Sequence, residues 1–245
     1  MRWTGLSLAL LALVFAGMGT ARADPVYNAA ADFSITNGNP NGVWSYGYLA
    51  PGTTTPLNLY TTTYTNFDSG PGWIAWNNPL VGNGTVPAAW KNTTGVKETS
   101  GSVQLQPGQL AEHPGPNDEA AVVRWTAPAS GTYLINVTIS GVDTVGTTTD
   151  VHVLNQGVPA FNGNINGFGN SASFSETLTL PVNFHIDFEV GFGSNNSFLF
   201  DSTGLSAQIS AAQISGVPEP ASLTLLGIGA VGLVGYTWRR RKQRV

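Results

Sequence analysis

Cysteine is absent from this chain of 245 residues. Without cysteine the protein has no disulfide to stabilise it, no thiolate nucleophile and no thiolate ligand for a metal ion. Its stability must therefore come from a packed core. Residues 24–216 provide enough chain for one domain that buries roughly 70% of its unfolded surface.

Positive charge is scarce between residues 24 and 216. This segment has 3 basic residues, Lys91, Lys97 and Arg124, against 13 acidic ones, which gives a formal net charge of −10. Nucleic-acid-binding proteins need a basic surface that neutralises phosphates, so we expect no nucleic-acid partner. The segment instead contains 20 Asn and 22 Thr, a composition typical of extracellular β-proteins.

Recognisable catalytic and nucleotide-binding motifs are also missing from the sequence. The chain has no H-E-x-x-H, no G-x-S-x-G, no phosphate-binding loop and no dinucleotide-binding fingerprint. Its three histidines, His113, His152 and His185, are scattered, so their spacing indicates no metal or acid–base site. A non-catalytic protein is therefore favoured, and a secreted hydrolase that acts on a glycan is the alternative.

The last 29 residues combine three features in a fixed order. Val217, Pro218, Glu219 and Pro220 are followed by an uncharged run over residues 221–238, and then by Arg239, Arg240, Arg241 and Lys242. The run is near the lower length limit for a helix that crosses a hydrocarbon core of roughly 30 Å. A basic cluster beside such a helix is expected to stay cytoplasmic. We therefore predict a transmembrane helix over residues 221–238.

Together these features resemble the PEP-CTERM sorting signal of Gram-negative bacteria. The resemblance implies that an exosortase-type membrane protease recognises residues 217–245 and processes them at the inner membrane. It also implies delivery to the cell-envelope surface or the extracellular space, and an association with exopolysaccharide and biofilm. A permanent membrane anchor that is never cut is the alternative for this segment.

The N-terminus has the features of a secretion signal. Arg2, an apolar stretch over residues 6–16 and the small residues around Arg22 follow the order of a secretory signal peptide, with cleavage before Asp24. The predicted organisation is therefore a signal peptide (1–23), an ectodomain (24–216) and a sorting signal (217–245).

Alternating apolar residues predict β-strands, most clearly in the second half of the chain. Tyr133, Ile135, Val137 and Ile139 occupy every second position, and the segment 184–190 repeats this pattern. Turn-forming residues separate such segments, which predicts an all-β fold with a single jelly-roll-like β-sandwich. The hairpin expected between residues 125 and 139 and the strand order are similar to those of galactose-binding-like β-sandwiches that precede PEP-CTERM signals.

Aromatic residues are the first candidates for a ligand site, because flat rings can pack against the C–H faces of sugars. Trp44 and Tyr46 share one face of a predicted strand, where core packing is the favoured alternative since Trp and Tyr are usually buried. Trp76 has the opposite parity to Trp73, and Trp90 lies in an expected polar loop, so both Trp76 and Trp90 are predicted to be exposed. The candidate carbohydrate-binding residues are Trp76, Trp90, Trp44 and Tyr46.

Acidic residues are the second candidates. Asp187 and Glu189 lie on one face of a predicted strand, about 6.6 Å apart along it. This separation suits a glycosidase pair, and carboxylate oxygens also bind calcium. The alternative, a solvated strand face on an acidic protein, is favoured. The sequence therefore predicts no cofactor. Calcium stays open as an alternative, for which Asp143, Asp150 and Asp201 are further candidates near turns.

Overall fold

The computed structural model describes residues 25–211 and 220–242 of the chain. These residues belong to two units, of which one spans Pro25–Ala212 and the other contains the C-terminal helix. The predicted signal peptide lies outside the described residues, as do Val217, Pro218 and Glu219 of the predicted sorting signal.

The first unit consists mainly of β-strands, as the alternating pattern predicts. Its helical pieces within residues 25–211 are a short helix, Ala29–Asp32, and two 3₁₀ turns, Phe67–Ser69 and Gly193–Asn195. The strands in chain order are β1 (Val26–Asn28), β2 (Trp44–Leu49), β3 (Asn58–Leu59), β4 (Thr62–Thr65), β5 (Trp73–Asn77), β6 (Ala88–Asn92), β7 (Glu98–Ser100), β8 (Val103–Leu105), β9 (Leu110–His113), β10 (Ala120–Thr126), β11 (Gly131–Gly141), β12 (Thr148–Asn155), β13 (Val158–Asn166), β14 (Ser171–Leu180), β15 (His185–Val190) and β16 (Thr203–Ala211).

Two large antiparallel sheets form the body of this unit. Sheet I has the order β14-β11-β16-β9-β6-β5-β4, and β1 pairs with the last part of β16. Sheet II has the order β13-β12-β15-β10-β2-β3, while β7 and β8 form a separate hairpin. The inward faces of both sheets share one core, so the predicted all-β sandwich is confirmed.

The main core contains the residues that the alternation places on inward faces. In β11, the four residues Tyr133, Ile135, Val137 and Ile139 are buried, whereas Thr138 is exposed. The inward residues of sheet II that meet them include Trp44, Tyr46, Val123, Trp125, Val151, Val153, Ile186, Phe188 and Val190. This packing supplies the stability that a cysteine-free protein requires.

A second, smaller core lies on the outer face of sheet I. Trp73, Ala75 and Trp90 project from that face and pack with Val103 and Leu105 of the β7–β8 hairpin. Because the hairpin covers this part of the sheet, residues on both faces of β5 are buried. Trp73 belongs to the outer core and Trp76 to the main core.

The outer face of sheet II is partly covered by the segment that connects β2 and β3. Leu57 of this segment packs on Leu49, Val122 and Leu154. Gly47 allows the close approach, because a Cβ atom there would lie 2.3 Å from the carbonyl oxygen of Asn58. Beside this segment lies a groove whose wall includes residues of β12 and β15.

The second unit contains one described helix, Pro220–Lys242. Several of its large apolar side chains are exposed, among them Leu225, Val231 and Leu233. In the described part of the chain, no helix combines the length and the apolar character needed to cross a membrane. The membrane span predicted over residues 221–238 is therefore not supported by this structure.

Candidate functional site

Three of the predicted carbohydrate-binding residues are core residues. Trp44 and Tyr46 are 1% and 0% exposed, as the alternative interpretation of this strand predicts. Trp76 is 6% exposed, and its Nε1 donates a hydrogen bond to the carbonyl oxygen of Ser34 at 2.8 Å. The prediction that Trp76 is exposed is wrong, because this side chain points into the main core from β5. These rings cannot stack on a sugar where they lie.

Trp90 is also buried, but it lines an open cavity. It lies in β6 and not in a loop, and it is 2% exposed, so its predicted exposure is wrong too. Its Nε1–H is buried and has no hydrogen-bond partner in the described structure. The Nε1–H groups of the core residues Trp73 and Trp125 are in the same state.

The cavity beside Trp90 has a volume of about 300 Å³ and lies at the edge of the outer core of sheet I. Several chain segments that are distant in sequence form its wall. The apolar part of the wall comes from Phe67, Val86, Trp90, Val103, Phe198, Leu199 and Phe200, and the polar part from Asp68, Asn83, Thr85, Ser100, Ser102, His113, Asp143 and Ser202. The wall therefore sets aromatic side chains beside hydroxyl, amide and carboxylate groups.

His113 contributes a neutral imidazole to this wall. Its Nδ1 donates to the carbonyl oxygen of Pro114 at 2.7 Å, which leaves Nε2 as an acceptor. Burial lowers the pKa of His113 to about 4, so the ring is uncharged at neutral pH. Its ring lies between those of Trp90 and Phe198, with centroid distances of 6.4 Å and 6.1 Å.

Asp143 is the most deeply buried carboxylate of the wall, at 2% exposure. It follows β11, and its Oδ1 accepts a hydrogen bond from the N–H of Val145 at 3.1 Å. Burial raises the pKa of this carboxyl group. Sequence reasoning placed Asp143 near a turn but did not connect it with Trp90, because the two are far apart in the chain.

Phe200 lines the cavity and has an unusual backbone conformation. Its φ is +68°, a left-handed value that an aromatic residue rarely adopts, and 43% of its surface is exposed. Asp68, on the same cavity wall, also has a positive φ of 48°. Such conformations persist where the surrounding structure imposes them, and they often occur at binding sites.

Asp187 and Glu189 do share the outer face of β15, as predicted, but they have different partners. Asp187 is fully buried and accepts two hydrogen bonds from Arg124 of β10. The favoured alternative, a solvated strand face, is therefore wrong for Asp187, because the Arg124 side chain covers it. Glu189 lines a groove of about 230 Å³ together with Asp118, Asp150 and His152.

The groove places an imidazole between carboxylates. His152 Nε2 lies 3.1 Å from Asp150 Oδ2, and its Nδ1 lies 2.6 Å from Oδ1 of Asn162. The hydrogen bond with Asp150 raises the pKa of His152 and lowers that of Asp150, whereas burial raises the pKa of Glu189 to about 7. In the described ranges, no three His, Asp or Glu side chains are arranged to hold a metal ion.

The C-terminal segment contains a known sorting motif. Residues 216–242 match the PEP-CTERM protein-sorting motif. The sorting motif contains Val217, Pro218, Glu219 and Pro220 as well as the basic residues up to Lys242. It indicates an exported protein that a membrane exosortase sorts, which confirms the resemblance given by the sequence.

Comparison with solved structures gives neighbours of low identity for the body that precedes the sorting motif. A family 51 module from Clostridium perfringens in complex with methyl-galactose has 11% identity, covers 76% of this chain and 100% of that chain, and has a TM-score of 0.34. A family 35 carbohydrate binding module from Clostridium thermocellum has 11% identity, with coverages of 77% and 98% and a TM-score of 0.29. A family 29 module has 10% identity, coverages of 72% and 99% and a TM-score of 0.27. No curated protein sequence matches the chain.

Proposed function

We propose that this chain is a non-catalytic surface protein of a Gram-negative bacterium whose β-sandwich binds a neutral glycan in the cavity beside Trp90. The observation that carries the proposal is the exposed ring of Phe200 on the wall of a cavity that also presents Asp143 and several hydroxyl and amide groups. A pyranose face would pack on Phe200, while these polar groups would form hydrogen bonds with the glycan hydroxyls.

The charge of the body favours a neutral ligand. Between residues 24 and 216 there are 3 basic against 13 acidic residues, and none of the basic residues lines the cavity. Asp143 adds a carboxylate to the wall itself, so anionic polymers should be repelled unless calcium bridges them. Calcium binding is proposed as an optional addition. Of the candidates Asp187, Glu189, Asp143, Asp150 and Asp201, Asp143 lines this cavity, whereas Arg124 holds both oxygens of Asp187.

The sorting motif supports a location at the cell surface. We propose that an exosortase-type membrane protease processes the tail at the inner membrane and that the body then reaches the envelope surface or the extracellular space. There, many copies that each bind glycan weakly could associate with exopolysaccharide and contribute to biofilm, because multivalency compensates for weak single sites.

The alternative of a glycan hydrolase has less support. The carboxylate pair that suggested it consists of Asp187, which Arg124 holds through both oxygens, and Glu189, which faces His152 and Asp150 across the groove. A general acid and a base must both reach the scissile bond. Asp187 cannot act as the acid or the base, because both of its oxygens accept hydrogen bonds from Arg124.

Calorimetry on residues 24–216 against a panel of neutral glycans, with and without calcium, tests the proposal. Phe200→Ala should lower affinity about 3- to 10-fold through loss of one aromatic contact, and Asp143→Asn should also lower it. Phe168→Ala is the matched control, because Phe168 is an exposed phenylalanine that does not line the cavity. Absence of heat with every glycan, or unchanged binding in both cavity variants, would leave a structural surface protein as the better account.

A further inference from the structure

The sequence contains five asparagine residues that are followed directly by glycine. An asparagine in such a pair loses its side-chain amide when the main-chain nitrogen of the next residue attacks its Cγ atom. Glycine permits this approach best, because it has no Cβ atom and its main chain is the most adaptable. The five pairs begin at Asn37, Asn41, Asn83, Asn162 and Asn166.

Two of these asparagines lie in loops where hydrogen bonds hold their side chains. Asn41 donates from Nδ2 to the carbonyl oxygen of Asp32 at 2.7 Å. Asn83 accepts at Oδ1 from the N–H groups of Thr85 and Val86, both at 3.0 Å. These hydrogen bonds must break before either Cγ atom can move onto the nitrogen of the following glycine.

Two further pairs are held in the antiparallel ladder between β12 and β13. Oδ1 of Asn162 also lies 2.6 Å from Nδ1 of His152. The N–H of Gly167, which follows Asn166, donates to the carbonyl oxygen of Thr147 at 2.7 Å. Attack by the main chain at these pairs therefore requires local opening of the strand.

Asn37 and Gly38 differ from the other four pairs. Both residues are exposed, in a bend between the helix Ala29–Asp32 and β2. The contact of the Asn37 side chain is a long one, with 3.5 Å between its Oδ1 and Oγ1 of Thr36. Within residues 25–211, neither Nδ2 of Asn37 nor the N–H of Gly38 has a hydrogen-bond partner. The attacking nitrogen and the leaving amide are therefore both available without local unfolding.

We propose that Asn37 is a site of spontaneous deamidation in the folded protein. The main-chain nitrogen of Gly38 gives up its proton to hydroxide and forms a bond to Cγ of Asn37. The bond between Cγ and Nδ2 then breaks, and Nδ2 leaves as ammonia with a proton from water. Water opens the resulting succinimide ring at one of its carbonyl carbons, which gives aspartate or isoaspartate. No oxidant or reductant takes part.

The modification changes the charge of a segment that is already acidic. Either product adds a carboxylate to residues 24–216, which contain 13 acidic and 3 basic residues. Because the ammonia is lost to solvent, the change is not reversed. Older copies of the protein should therefore be more acidic than newly made ones.

Comparison of the folded and the unfolded chain tests whether the structure selects this pair. The full chain in mild detergent and the same chain in urea are kept at mildly alkaline pH, and tandem mass spectrometry of peptides measures the conversion of each asparagine. In the folded chain, Asn37 should react about 10-fold or more faster than the other four, which need local opening first. In urea the five rates should become similar. A folded chain in which another of the five reacts as fast as Asn37, or in which Asn37 stays unreacted while the unfolded chain reacts, would overturn the proposal.

Two variants of the full chain connect the reaction with the charge of the protein. Asn37→Gln should abolish the acidic species that anion-exchange chromatography separates, because the longer side chain forms a cyclic imide far more slowly. Asn41→Gln is the matched control, since it changes the neighbouring Asn-Gly pair, and it should leave the acidic species unchanged. The rate in the wild type should rise with pH, because the nitrogen of Gly38 attacks after losing its proton. An acidic species that persists at full yield in Asn37→Gln would contradict the assignment.

Discussion

Arg124 and Asp187 form a two-point ion pair across the neighbouring strands β10 and β15. Arg124 Nε donates to Oδ1 at 2.6 Å, and Nη2 donates to Oδ2 at 2.8 Å. The Asp187 side chain is 0% exposed and that of Arg124 is 16% exposed. Arg124, one of the three basic residues of the body, thus neutralises the Asp187 carboxylate. This pairing explains how an acidic protein accommodates Asp187 on a covered sheet face.

Removing the charge of Asp187 should destabilise the fold strongly. Asp187→Ala leaves Arg124 unpaired and mostly buried, and breaking such a pair lowers the free energy of unfolding by about 3 kcal/mol. Urea unfolding of residues 24–216 measures the change. The matched control is the double variant Arg124→Met/Asp187→Leu, which leaves no unpaired charge and should recover most of the loss. A single variant within about 0.5 kcal/mol of the wild type would contradict this account.

Glu112 should make the stability of the protein depend on pH. This residue of β9 is 0% exposed, and burial raises its pKa well above 4.5. The folded state therefore retains a proton that the unfolded state loses, so the contribution of Glu112 to stability is complete below pH 4.5 and declines as the pH rises toward the folded pKa.

Replacement of the Glu112 carboxyl group tests whether stability falls as the pH rises. Glu112→Gln cannot ionise, so its free energy of unfolding should exceed that of the wild type by a margin that grows between about pH 5 and pH 8. Thermal unfolding across this range gives the difference, and Glu98→Gln on the β7–β8 hairpin is the control. A margin that shrinks with rising pH would show that Glu112 is stabilised as the carboxylate.

The strands that the sequence predicts best are those with one covered face. In β11 and β15 every second residue is apolar, and these residues point into the main core as expected. Burial of one strand face requires an apolar residue at every second position. This alternation therefore predicts the strand from the sequence alone. The predicted interruption of strands by Gly, Asn and Pro follows from the same local chemistry.

Alternation alone does not predict the burial of three tryptophans, Trp73, Trp76 and Trp90. Parity assigns Trp73 and Trp76 to opposite faces of β5, which the structure confirms, but it does not say whether a face is covered. The β7–β8 hairpin covers the outer face at this point, and that contact depends on long-range packing. The cavity beside Trp90 was unpredictable for the same reason, since Phe67, Asp143 and Phe200 meet there only in the folded chain.

Residues 24–216 should fold without the segments that flank them. The paired strands all lie between Val26 and Ala211, and residues Pro25–Ala212 form one compact unit. Circular dichroism of residues 24–216 should show a β-rich spectrum with little helix, and denaturant unfolding should be a single transition. A strongly helical spectrum, or a fragment that fails to fold without the tail, would contradict this expectation.

The basic end of the sorting motif should determine how the tail is handled. Arg239, Arg240, Arg241 and Lys242 close the matched segment, and positively charged residues of this kind hold a tail on the cytoplasmic side. Replacing all four with Gln should weaken both retention at the inner membrane and processing. Intact mass of the surface protein measures processing, with Lys97→Gln as a charge control in the body. If the mass of the wild-type surface protein still includes residues through Val245, the tail is a permanent anchor and not a removable signal.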